Sequence, residues 1–62
     1  AGRFRMIRTE RWKFVEEIGG ADELYDLRDD PNELQNLARQ KPFVDICQEM
    51  RTRLARWKAS LA

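Results

Sequence analysis

Glu23-Leu24-Tyr25-Asp26-Leu27-Arg28-Asp29-Asp30-Pro31-Asn32-Glu33-Leu34-Gln35-Asn36-Leu37-Ala38 is the stretch on which the fold turns. Its first five residues, a short run bounded by turn chemistry, predict a strand over 23–27. The residues from Asp30 onward read as a helix start. Asp30 is placed to accept from the open N–H groups as N-cap, Pro31 suits the first helical position, and Glu33 sits where a capping box wants a carboxylate. A short helical turn over 31–36 is expected. Asn36 is read as its terminating residue, because Asn tolerates the left-handed conformation, and Leu37 and Ala38 then fold onto the sheet.

Before this stretch, residues 3–18 are rich in Phe, Ile, Trp and Val and alternate in part. They predict strands over about 3–9 and 12–18, joined by a tight hairpin around Glu10 and Arg11. The turn lacks the Asn-Gly or Asp-Gly of the favoured two-residue loops, which leaves the register open by one: Ile7 pairs with Val15 or with Phe14. That pair is expected on the sheet face away from the helix. Gly19 and Gly20 end the second strand and permit positive φ. After the stretch, Pro42 opens a helix over about 42–60. Phe43, Cys47, Met50, Leu54, Trp57 and Leu61 recur at spacings of four and three and form one apolar stripe. Asp45 and Glu49 near its start, with Arg51, Arg53, Arg56 and Lys58 near its end, suit the helix dipole. The fold class is α+β: a small antiparallel β-sheet of about three strands, hairpin first, packed against one C-terminal α-helix, in a single domain over 1–62.

The quoted stretch resembles the C-terminal signature of the sulfatase family, the formylglycine-dependent sulfuric ester hydrolases, E-L-Y-D-L-x-x-D-P-x-E-x-x-N-L-A. It is met at Glu23, Leu24, Tyr25, Asp26, Leu27, Asp30, Pro31, Glu33, Asn36, Leu37 and Ala38. Ile7-Arg8-Thr9-Glu10-Arg11-Trp12-Lys13-Phe14 is similar to the hairpin of that family, I/V-R-T-x-x-Y/W-K-Y/F. The resemblance implies a non-catalytic C-terminal subdomain, here an isolated fragment, whose parent hydrolyses sulfate esters. It further implies that the partner is the catalytic domain of the same parent chain, and that calcium and formylglycine belong to that domain, with no cofactor in this fragment. A sulfated substrate is anionic, so Arg8, Arg11 and Lys13 are candidates for the rim of the parent's substrate cleft.

Composition narrows the chemistry. At 62 residues, a domain buries only about 60% of the surface of its unfolded chain. Support from a longer protein, or from a second copy in a homodimer, is therefore expected. The single cysteine, Cys47, allows no intrachain disulfide. Cys47-Gln48-Glu49-Met50-Arg51 partly matches the sulfatase C/S-x-P-x-R motif, but Glu49 stands where Pro is needed and Cys47 lies on the apolar stripe, so it reads as core. There is no histidine, which removes imidazole acid–base chemistry and His-ligated metal. Asp22, Glu23, Asp26, Asp29, Asp30 and Glu33 lack the spacing of a calcium loop and read as caps and ion-pair partners.

The net charge of +1 hides blocks of +4 over residues 1–13, −7 over 14–36 and +4 over 37–62. Arg3, Arg5, Arg8, Arg11 and Lys13 interleave with Phe4, Trp12 and Phe14, as in a nucleic-acid-binding sheet. The reading preferred is that Trp12 and Phe14 are core and the cations face the acidic block, with no nucleic acid bound; a free-standing nucleic-acid-binding module remains the alternative. No apolar run reaches membrane-spanning length, so no membrane partner is expected. Any targeting signal is expected upstream of residue 1, and the compartment stays open between periplasmic, secreted and cytoplasmic.

Overall fold

The computed structural model describes residues 4–17, 19 and 21–60. Three strands, β1 (Phe4–Arg8), β2 (Trp12–Glu17) and β3 (Glu23–Asp26), form an antiparallel meander in the order β1-β2-β3. A loop over 27–40 leads into a 3-10 turn, Lys41–Phe43, carrying Pro42, and then into α1 (Val44–Ser60). This is the expected α+β arrangement. The roles expected of Arg3, Ile18, Gly20, Leu61 and the Lys58 side chain lie outside the described residues.

Thr9 settles the hairpin register. Its N–H donates to the Trp12 carbonyl at 2.8 Å, and its hydroxyl accepts from the Trp12 N–H at 3.0 Å. The side chain thus replaces a backbone carbonyl and closes a two-residue tip, Glu10 and Arg11, without an Asn-Gly turn. Ile7 consequently pairs with Phe14, and Phe14 with Leu24. Paired residues share a face, so Ile7, Phe14 and Leu24 all point toward α1. The expectation that Ile7 lies on the outer face is overturned. Met6 and Val15 lie there, beside Phe4, Tyr25, Arg8 and Lys13.

The core holds Phe14, Leu24, Leu37, Cys47, Met50 and Leu54, with Ile7, Trp12, Ala38, Phe43 and Ile46 packed around it. Trp12 meets Phe43 edge to face, centroids 6.1 Å apart, the geometry that the ring quadrupole favours. The apolar stripe of α1 ends sooner than its periodicity predicts. Trp57 is 57% exposed, because a helix of 17 residues runs about 25 Å while a five-residue strand runs about 17 Å. The last turns overhang the sheet.

The largest correction concerns residues 31–36, which are not helical. Asp30 does collect N–H groups, but from Leu34 and Gln35, both at 3.0 Å, too far along the chain for an N-cap, which serves the second or third helical residue. Glu33 takes φ 56°, a left-handed conformation foreign to a right-handed helix. Its carboxylate reaches Lys13 Nζ at 2.6 Å instead of folding back into a capping box. Among the described residues, Glu33 is also the non-glycine residue at positive φ, the role the sequence suggested for Asn36. Gly19 has φ 81° after β2, as its position predicts.

Candidate functional site

The three cleft-rim candidates fall into two environments. Arg11, at the hairpin tip, turns back onto Asp26 with Nε to Oδ1 at 3.2 Å and Nη2 to Oδ2 at 3.0 Å. Its guanidinium also lies 4.6 Å from the Trp12 ring centroid. Arg8 and Lys13 are cross-strand neighbours on the outer face, in line with Tyr25. Lys13 is held by Glu33. Arg8 is exposed, with no carboxylate within ion-pair distance among the described residues.

The signature residues are bonded to one another and to the hairpin. Leu24 and Leu37 fill the core, and the Leu37 N–H donates to the Leu24 carbonyl at 2.8 Å. Asn36 Oδ1 accepts from the N–H groups of Leu24 and Ala38, both at 3.0 Å, while its Nδ2 donates to the Asp22 carbonyl at 3.3 Å. One amide thereby fastens the 36–38 segment along the outer edge of β3. The Tyr25 hydroxyl donates to Glu23. Asp26, buried, accepts from Arg11 and from the N–H groups of Arg28 and Asp29. The Leu27 N–H donates to the Arg11 carbonyl at 2.6 Å, closing the strand end against the hairpin tip. Pro31 is exposed in the turn that Asp30 organises.

These contacts set the titration of the groups. The bonds from Arg11, reinforced by the Arg28 and Asp29 amides, hold the Asp26 carboxyl below its ordinary value. The bond to Glu23, with burial and the surrounding negative charge, pushes Tyr25 up to about 12. Burial raises the Cys47 thiol. Tyr25 and Cys47 are thus held protonated at neutral pH, opposite to what a base or nucleophile needs.

Calcium does not fit these carboxylates. Asp22 is taken by Arg51 at 2.7 Å, Glu23 by Tyr25, Asp26 by Arg11, Asp30 by backbone amides and Glu33 by Lys13. Among the described residues no three His, Cys, Asp or Glu side chains converge in a metal-binding arrangement. Formylglycine chemistry does not fit Cys47 either, because its thiol is buried in the core and directed at the Ala38 carbonyl.

The tertiary role of Arg51 escaped the sequence. The helix dipole alone gives Arg51 its place there, yet it bonds Asp22 at 2.7 Å and lies 5.5 Å from the Phe14 centroid, clamping α1 to the start of β3. No local pattern connects residues so far apart; only the tertiary fold does.

The described residues form a three-stranded meander covered by one helix, with Asp22, Glu23, Asp26, Asp30 and Glu33 engaged internally. The family model for N-sulphoglucosamine sulphohydrolase, C-terminal, matches residues 1–60, and this chain belongs to that family. It is similar to the Delta 4,5-hexuronate-2-O-sulfatase of Bacteroides thetaiotaomicron, 39% identical over 51 residues, which cover 81% of this chain and 11% of the relative. No solved structure matches.

Proposed function

We propose that this domain serves as a non-catalytic subdomain of a sulfuric ester hydrolase, docking on the catalytic domain of its own parent chain. The observation that carries the reading is the agreement between the signature and the internal bonding. Glu23, Asp26, Asp30, Glu33 and Asn36 each hold a backbone or side-chain partner within the domain. The parent's sulfate-ester hydrolysis, with its formylglycine and calcium, then resides in residues other than these. The outer sheet face, with Met6, Val15, Tyr25 and the cation Arg8, is the surface offered toward the catalytic domain and an anionic substrate.

Two measurements test this. The chain is assayed with a chromogenic aryl sulfate and added calcium, and no turnover is expected; metal-dependent turnover above a heat-treated control overturns the non-catalytic role. The genomic sequence preceding the coding region of residue 1 is read for a long α/β region containing C/S-x-P-x-R, and its absence removes the parent enzyme. The nucleic-acid alternative has less support. Phe14 is fully buried, and Trp12 is flanked by Phe43 and Arg11, so neither presents a free face for a base.

A further inference from the structure

Residues 30–36, Asp-Pro-Asn-Glu-Leu-Gln-Asn, carry a helix start that the fold does not use. Both ends of the segment are fixed. The Asp30 N–H donates to the Asp26 carbonyl at 2.7 Å, and Asn36 is bonded to Leu24 and Asp22. Between these ends, the Glu33 N–H already donates to the Asp30 carbonyl at 3.0 Å, the tight turn with which many helices begin, and the Pro31 ring fixes a φ that suits a helix. Glu33 is where the helix fails. Its φ of 56° is a left-handed conformation that a residue with a Cβ adopts at a cost. Among the described residues, one hydrogen bond joins residues 31–35 to the sheet, from Lys13 Nζ to the Glu33 carboxylate at 2.6 Å. The two side chains are only 24% and 32% exposed, so solvent screens this pair less than a surface one. Leu34 is 84% exposed, so no buried packing of its side chain opposes a change of the turn.

We propose that residues 30–36 form a two-state switch whose state is selected by Lys13. In the observed state Lys13 holds Glu33 left-handed, and Asp30 serves the N–H groups of Leu34 and Gln35. In the other state Glu33 turns right-handed, Asp30 caps the N–H of Asn32 or Glu33, and Pro31 takes the first helical position. The reciprocal bond of a capping box does not form, because the Asp30 N–H stays with Asp26. Local preference favours the helical turn while one tertiary ion pair favours the observed one, a conflict between levels that makes an element bistable. The switch also changes the outer sheet face. Lys13 pairs with Arg8 on β1 and with Tyr25 on β3, so release of Glu33 takes a carboxylate away from two neighbouring cations. On the sulfatase reading this sets the charge turned toward an anionic substrate; the switch itself does not rest on that reading.

Nuclear magnetic resonance on the whole chain reads the two states. Positive φ brings a residue's own amide and α protons close and gives a strong NOE between them, whereas the helical turn weakens that NOE and adds amide–amide NOEs from Asn32 through Gln35. Lys13→Met keeps the apolar stem and removes the charge, so residue 33 should lose the positive-φ signature and the helical NOEs should appear, with the Ile7 to Phe14 pairing intact. Glu33→Ala leaves β2 untouched and should do the same. Lys13→Met combined with Glu33→Gly should keep the observed turn, because glycine accepts φ 56° without the left-handed cost. Exchanging the charges, Lys13→Glu with Glu33→Lys, should restore the positive φ that Lys13→Glu alone loses. Positive φ retained at residue 33 in Lys13→Met or in Glu33→Ala overturns the proposal. So does a turn that loses order without becoming helical, or an exchanged pair that fails to restore it.

Discussion

Arg11 and Asp26 meet at two points, with nitrogen to oxygen distances of 3.2 and 3.0 Å, and so tie the hairpin tip to the end of β3. Asp26 is buried and also receives the amides of Arg28 and Asp29, so it organises both the tip and the turn that leaves the sheet.

Asp26→Ala should destabilise the fold by about 2 kcal/mol, the range for hydrogen bonds to a charged group, measured by urea titration. The pH dependence has a definite sign. The Arg11 bonds depress the folded-state pKa below the ordinary 3.8, so the stabilisation is fully present above that value and is lost as pH falls through the lower, folded-state value. Asp26→Asn should flatten the acid limb of the stability profile. An acid limb identical to that of the unsubstituted chain would show that Asp26 does not contribute there.

Asn36 predicts a local effect. Asn36→Ala removes both acceptor bonds and the donor bond to Asp22, a loss of about 1–2 kcal/mol for a largely exposed amide. Asn36→Asp keeps the acceptors and should lose less. Amide hydrogen exchange reads this directly, because protection of the Leu24 N–H should fall most in the alanine variant. Unchanged protection at Leu24 would remove Asn36 as the fastener of the β3 edge.

Tyr25 is the single tyrosine, so its titration by tyrosinate absorbance is unambiguous. The Glu23 bond raises its pKa from 10.0 to about 12. Stability from this bond is present below pH 10 and is lost as pH rises from there through the folded-state value. Glu23→Gln should move the midpoint down toward 10. A midpoint at 10 in the unsubstituted chain would mean that the Tyr25 to Glu23 bond does not form in solution.

Much of the fold was legible because local rules decided it. Alternation marked β1 and β2, and Pro42 with the spacing of Cys47, Met50 and Leu54 marked the helix and its buried face. The failures share a cause. Asp30, Pro31 and Glu33 satisfy every local requirement of a helix start, but Lys13, distant in sequence, supplies a cation that draws Glu33 outward, and Asp30 binds amides farther along. Trp57 continues a correct periodicity beyond the end of the sheet it was meant to cover. At the candidate site, the residue types were readable but their partners were not: Arg11 with Asp26, Lys13 with Glu33 and Arg51 with Asp22 all join separate elements.

Cys47 gives the sharpest test of the buried-core reading against a motif-based one. It is 5% exposed, and burial raises its thiol pKa, so at neutral pH it is both shielded and protonated, whereas thiol reagents attack the thiolate. Reaction with a disulfide reagent should be slow in the native chain, accelerate in step with unfolding as urea is added, and show no burst. Cys47→Ser places a hydroxyl among Phe14, Leu24, Met50 and Leu54 and should lower stability by about 1–3 kcal/mol, while Cys47→Ala leaves a smaller defect because it buries no polar group. The ordering of the two variants is diagnostic. A serine variant as stable as the alanine one, together with rapid native-state labelling, would place the thiol at the surface and remove the physical ground for excluding Cys47 as a reactive centre.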